Sequence, residues 1–221
     1  MLAAVALAAC SAPAAGKKEL TAQEIVDNSS EKIQALKSVH FRLEVADGKM
    51  SLGLGITVDN VEGDAALPGR MRIKSKASFG GVVFDVDFIS VDGKQYFRNP
   101  LTGRWETLPI AVAATNLFDR DKGAVSVMKG AINLTKLANE TMDGVESYHL
   151  RGTVEASALA SIVGAVPSES QVQVDTWIGT SDFLVRQIRI EGALLQGDAA
   201  QAVRTLKLSR FDEPVTIEPP A

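Results

Sequence analysis

Three sets of residues in this 221-residue chain have side chains suited to covalent modification, metal binding or catalysis: one cysteine, two histidines and a pair of near-neighbour aspartates. The cysteine has the clearest setting. Met1 to Ala9 is wholly apolar, and Leu7-Ala8-Ala9-Cys10 runs into the small, polar stretch Ser11 to Lys18. Small side chains ahead of a cysteine admit a peptidase to the scissile bond, and the thiol at the new amino terminus takes a diacylglyceryl group. Leu-Ala-Ala-Cys matches the bacterial lipobox. Nine apolar residues fall far short of the about 20 needed to cross a bilayer, so the segment reads as the apolar part of a signal peptide. The competing reading is a buried apolar end with an ordinary cysteine.

The lipobox reading divides the chain. Residues 1–9 are expected to be a signal peptide, truncated at its start because no Lys or Arg precedes the apolar run. Residues 10–18 are then the lipidated Cys10 and a flexible tether, with a mean reach of roughly 15 Å. Residues 19–221 form a single domain. Two acyl chains on one residue anchor stably where a single chain binds only marginally. The expected location is therefore the extracytoplasmic face of the cell membrane.

The other candidates point away from catalysis. His40 falls on the polar face of an alternating run, and His149 alternates with Tyr148 and Leu150. Neither has a partner at metal-ligand spacing. Asp85 and Asp87 share one strand face and mimic a paired-carboxylate site. Val82, Phe84, Val86 and Phe88 mark the opposite face as the core side, so the aspartates read as solvated. A lone cysteine cannot close an internal disulfide. No phosphate loop, nucleophile elbow or zinc signature is present. A net charge of −4 lacks the basic surface that non-specific nucleic-acid binding requires. The expectation is no catalytic residue, no metal, no cofactor and no nucleic acid.

These residues sit on elements that the periodicity makes plain. Thr21-Ala22-Gln23-Glu24 is a capping box, and Ala22, Ile25, Val26, Ser29, Ile33 and Leu36 share one helical face. The period then drops to two: Val39, Phe41, Leu43 and Val45 alternate with polar residues up to Asp47-Gly48. Ile56 to Leu67 is weakly patterned. Met71 to Phe79 and Val82 to Phe88 are two strands joined by Gly80-Gly81, and Asp92-Gly93 is a further tight turn, the signature of antiparallel neighbours. Between Pro109 and Ile132 the pattern turns helical, with Ala124, Val125, Met128, Ala131 and Ile132 as a stripe. Strands resume near Thr135. A short helix over Ser157 to Val166 follows, then three closing strands and a proline-rich, extended tail from Glu213. The fold class expected is α+β: a curved antiparallel sheet, a half-barrel of roughly ten or eleven strands, with helices gathered on one face. Aromatic residues make up only 5%, too few to fill the space between sheet and helices easily.

In the order of its elements the chain resembles the LppX/LprG (LppX_LprAFG) family of mycobacterial-type lipoproteins. The likeness rests on the lipobox, Lys37-Ser38-Val39-His40-Phe41 after the first helix, and Phe88-Ile89-Ser90-Val91-Asp92-Gly93-Lys94-Gln95-Tyr96. It continues through Arg104-Trp105, Asp119 with Gly123, Asp143-Gly144-Val145 before Tyr148-His149-Leu150-Arg151-Gly152, and Thr176-Trp177-Ile178 before Leu184-Val185-Arg186-Gln187. The Trp-Ile hairpin is shared with the wider LolA/LolB type of carrier. The resemblance implies helices on the concave side of the half-barrel and an apolar cleft holding an acylated lipid or glycolipid. It implies a monomer that moves this cargo within the envelope, with the membrane and an envelope transporter as partners.

The residues expected to line such a cleft are Leu43, Ile73, Phe84, Val86 and Phe88 from strands, Leu117, Phe118, Val125, Met128 and Ile132 from the helical insert, and Leu159, Ile162 and Val163 from the short helix. The plainer reading is that these side chains only pack helix on sheet. Two further functions stand beside the carrier: a surface-anchored structural or partner-binding lipoprotein with a filled core, and a cell-surface enzyme with a polar pocket.

Overall fold

Thr21 starts the first helix as its capping box dictates. In the computed structural model Glu24 N donates to Thr21 Oγ1 at 3.2 Å, and Thr21 N donates to Glu24 Oε2 at 2.8 Å. The structure describes residues 19–46, 50–53, 56–108, 113–119, 122–163, 166, 170–195 and 198–221, with residues 51–53, 56, 59, 113–114 and 125 described by their backbone alone. Helix α1 (Ala22–Ala35) buries Ile25, Val26 and Ile33. It leads into β1 (Ser38–Val45), and β2 (Met50–Gly53), β3 (Ile56–Ala66), β4 (Arg70–Phe79), β5 (Val82–Val91), β6 (Lys94–Arg98) and β7 (Trp105–Thr107) follow. After helix α2 (Ala124–Lys129) come β8 (Ile132–Lys136), β9 (Glu140–Met142) and β10 (Val145–Glu155). Helix α3 (Ala160–Val163) precedes β11 (Gln171–Gly179), β12 (Val185–Glu191) and β13 (Val203–Ser209).

The described strands join one antiparallel sheet in the order β7-β6-β5-β4-β3-β1-β13-β12-β11-β10-β8, with β2 on β3 and β9 on β10. The described strands number thirteen rather than ten or eleven. The difference comes from pieces such as β2, β7 and β9, of four residues or fewer, too short for alternation to show. The expected tight turns are present. Gly80 and Gly81 have φ of 57° and 85°, and Asp92 and Gly93 have 50° and 82°, the positive pair that lets a two-residue turn follow strand twist.

Register sorts the side chains. On the face toward the helices, Phe41, Gly63, Ile73, Phe88 and Phe97 stand in one transverse row. In the next row Leu43 is flanked by Val61, Ser75 and Val86 on one side, and by Leu206, Ile188, Thr176 and Leu150 on the other. Gly63 is needed in its row. A Cβ there would lie 2.5 Å from Phe41 Cζ and collide with the Arg72 carbonyl oxygen, so the missing side chain lets the Phe41 ring lie across β3.

The outer face is not uniformly wet. Asp175, only 1% exposed, accepts from Arg151 Nε at 2.8 Å and from Gln173 Nε2 at 3.1 Å. His149 stacks on Trp177 with centroids 4.4 Å apart, its Nε2 2.7 Å from Asp175 Oδ1 and its Nδ1 2.8 Å from Glu140 Oε1. Trp177 Nε1 donates to Glu140 Oε2 at 3.0 Å. His149 is thus a buried part of a polar cluster that ties β9, β10 and β11 together. Asp85 stands exposed on this outer face, as its alternation indicates.

The tail crosses the end of the sheet. Asp212 N donates to Ser38 O at 3.0 Å, Lys37 N donates to Asp212 Oδ1 at 2.7 Å, and Arg70 Nη1 donates to Ile217 O at 3.2 Å, with Ile217 buried.

Gly63→Ala tests the row directly. The added methyl must displace the Phe41 ring, so overpacking is expected to cost about 1–3 kcal/mol and lower the melting temperature by several degrees. Calorimetry showing no change would refute this reading of the contact.

Candidate functional site

The helical insert is built from short pieces that cannot cover the sheet tightly. Gly123 starts α2, and a Cβ there would strike the carbonyl oxygens of Asp119 and Leu117. Glycine therefore lets the chain turn closely over 117–119 before entering the helix. The helix lasts six residues and stops at Gly130. Residues 156–159 form one 3-10 turn that runs into the four-residue α3.

Under these pieces lies an apolar cavity of about 250 Å³. Its sheet wall is Phe41, Leu43, Met50, Val61, Ile73, Val174, Ile188, Ile190 and Leu206. Its roof is Leu117, Ala124, Val127, Met128, Leu159, Ile162 and Val163. Leu194, Leu195 and Arg204 complete it, and Arg204 is its only charged side chain among the described residues. The volume stands just below the roughly 300–1,000 Å³ of small-molecule sites.

Seven of the sequence-stated positions meet on this wall: Leu43, Ile73, Leu117, Met128, Leu159, Ile162 and Val163. Phe84, Val86 and Phe88 lie on the same face of β5 but beyond the cavity, Phe88 being buried in the core. Phe118 packs its ring 5.8 Å from Phe41 and lines a second hollow instead. Ile132 needs correction as a member of the helical stripe. Gly130 ends α2 two residues earlier, so Ile132 opens β8 and is 49% exposed. The side chain of Val125 and the whole of Cys10 lie outside the described residues.

The second hollow, of about 540 Å³, sits at the other end of the sheet among Gln34, Arg70, Ser90, Gln95 and Asn116 as well as Leu36, Leu67 and Met71. It is larger but polar over much of its wall, so the smaller apolar cavity is the better match to a hydrocarbon ligand.

Sequence reasoning missed the charged pair at the rim of the apolar cavity. Arg204 Nη2 donates to Asp198 Oδ1 at 2.6 Å, with the side chains 4% and 8% exposed. Asp198 Oδ2 also accepts from Leu194 N at 2.8 Å and Leu195 N at 2.6 Å. One carboxylate thus holds the loop that brings two leucines to the cavity. Burial pushes the Asp198 carboxyl upward, but the Arg204 guanidinium and the two amides outweigh it and hold the group below the usual carboxylate range. The signal in the sequence was an arginine in phase with Ala202, Leu206 and Leu208 on the inward side of the last strand. Among the described residues no cluster of His, Cys, Asp and Glu could hold a metal ion, and no helix is long and apolar enough to cross a membrane.

The class these features define is an open antiparallel half-barrel whose concave face carries a helix-roofed apolar cavity. Within that class the chain belongs to the LppX_LprAFG lipoprotein family, whose profile matches residues 21–217. It is 25% identical over 210 residues to the lipoarabinomannan carrier protein LprG of Mycolicibacterium smegmatis, covering 89% of this chain and 82% of that one. It is 25% identical over 227 residues to LprG of Mycobacterium tuberculosis, covering 99% and 91%. Its fold is similar to the crystal structure of LprF from Mycobacterium bovis, with a TM-score of 0.69 and 22% identity over 90% of this chain and 97% of that one. LppX from Mycobacterium tuberculosis gives 0.63 and 18%, over 89% and 98%.

The Asp198 environment sets a pH dependence. Its folded pKa is depressed, so the stability it contributes is fully present above the unfolded carboxylate value and is lost as pH falls through the folded value. Asp198→Asn leaves Arg204 buried without its counter-charge, an expected loss of about 3–5 kcal/mol at pH 7. In urea titrations the gap between wild type and variant should narrow toward pH 3. A gap that stays constant with pH would refute the assignment.

Proposed function

We propose that this protein is a membrane-anchored extracytoplasmic lipoprotein that shelters the acyl part of a lipid or glycolipid and carries it within the cell envelope. The observation that carries this reading is the apolar cavity between sheet and short helices, whose wall holds a single charged side chain among the described residues. Hydrocarbon gains about 0.8 kcal/mol for each CH₂ removed from water, so such a space favours an acyl chain over any polar substrate. At about 250 Å³ it suits part of one ligand, and the roof of α2 and α3 would have to yield for a second chain. The relatives described as lipoarabinomannan carriers support an acylated glycolipid as the cargo class. In this reading residues 1–9 are removed, Cys10 bears the diacylglyceryl anchor, residues 11–18 are the tether and residues 19–221 are the carrier domain. The domain acts as a monomer, without catalysis, and exchanges cargo with the membrane and an envelope transporter.

Two measurements test this. Native mass spectrometry of the full chain, exported by a bacterial host and purified without detergent, should find an acylated lipid of defined mass. Met128→Trp, which fills the roof, should lower its occupancy several-fold. A clean apo mass with no uptake of added lipid would leave the filled-core, partner-binding lipoprotein as the better account. Cys10→Ser should abolish metabolic labelling by palmitate and release the protein from membranes, and continued labelling would sink the lipobox assignment.

A further inference from the structure

The wall of the apolar cavity contains donors that the protein itself does not use. Arg204 is 4% exposed, and only its Nη2 has a partner, Asp198. Nε and Nη1 are buried without one, and they are two of the five such side-chain atoms among the described residues. A buried guanidinium N–H left unpaired carries a full desolvation penalty. Apolar side chains of similar length would fill the same space on β13 without that cost, as Leu206 and Leu208 do two and four residues on.

We infer that Arg204 is a ligand-binding residue whose Nε and Nη1 donate to an uncharged oxygen carried into the cavity by an acyl chain, the carbonyl of a fatty ester. This rests on the carrier reading and names the cargo's functional group. Three observations select it. The residue lines the cavity, next to Ile190, its cross-strand partner, and to Leu194 and Leu195. The rest of the described wall is hydrocarbon, so the bound group must be mostly chain. The guanidinium charge is already met by the Asp198 carboxylate at 2.6 Å, so a second anion would leave an uncompensated negative charge in a buried site. A neutral acceptor takes the free donors and leaves the charges balanced. The chemistry differs from headgroup recognition, because the recognised atom lies at the junction of chain and backbone and is common to many acylated lipids.

The test compares 1-palmitoylglycerol with 1-hexadecylglycerol, which differ by the ester carbonyl alone, as competitors for a bound fluorescent monoacylglycerol on the full-length protein. A third probe, 1-hexadecylglycerol 3-phosphate, offers phosphate oxygens but no carbonyl. Wild type should prefer the ester about tenfold over the ether. Arg204→Lys keeps the charge for Asp198 but removes the planar fork, and Arg204→Met with Asp198→Asn removes the charge pair together. Both should abolish the preference, bringing the ester-to-ether ratio measured within each variant to about one, a ratio that a loss of stability alone does not move. Equal binding of ester and ether by wild type, or a preference that survives both variants, would overturn the inference and leave the carrier reading intact. Arg204-dependent preference for the ether phosphate would overturn the ester assignment in favour of an anion. Failure of every probe to bind would count against the carrier reading and the inference together.

Discussion

A strand cannot leave its amide and carbonyl groups unpaired in an apolar interior, and the rest of this structure depends on that requirement. It drives strand after strand into one continuous ladder from β7 to β8. Strand twist then curls the ladder, which gives the sheet a concave face. That face is apolar along β1, β4, β12 and β13, yet among the described residues the α-helices that cover it have fourteen, six and four residues, with short 3-10 turns beside them. Helix α1 packs its stripe solidly. The shorter pieces do not reach the sheet everywhere, and a space remains between Leu43 or Ile188 below and Met128 or Ile162 above.

Among the described residues two buried carboxylates, Asp175 and Asp198, anchor clusters that tie strands or a loop in place. On the outer face Asp175 receives Arg151 and Gln173 and holds His149 against Trp177, so neighbouring strands are fixed by more than their ladder. At the cavity rim Asp198 satisfies two amides of an irregular loop and one guanidinium. Both carboxylates are held below their usual range because the hydrogen bonds they accept outweigh the burial that would raise them. These clusters specify the fold where periodic packing alone is silent.

Much of this was legible in the residues. The capping box at Thr21, the inward alternation of Phe41 and Leu43, and the paired positive-φ turns at Gly80-Gly81 and Asp92-Gly93 follow local rules that tertiary context does not overturn. Seven wall positions of the cavity were legible for the same reason, since inward phase on a strand or a helix stripe is a local property. Ile132 was not, because a helical stripe looks continuous through Ala131 until Gly130 is given its role as a stop. Phe84 and Val86 have the inward phase, but phase does not say how far along a strand the helices reach. The outer cluster of His149, Glu140 and Asp175 and the pair of Arg204 and Asp198 depend on residues brought together by strand order and loop path, which spacing along the chain does not encode.

The two ends of the ladder have a consequence for how the molecule behaves in a crowded envelope. An open half-barrel, unlike a closed one, presents free strand edges that can template the addition of another chain. Here those edges are the three residues of β7 and the five of β8, the latter meeting β10 through an irregular register. The eleven-residue strands β3 and β10 lie inside, whereas β6 pairs only Phe88 to Val91 of β5, and the other half of that strand carries the exposed Val82 and Val83. Lys136 on β8 and Glu106 on β7 add charge to each border. The curvature that opens the concave face therefore leaves, among the described residues, a border broken into short pieces: β7, β8 and the half of β5 that β6 does not reach.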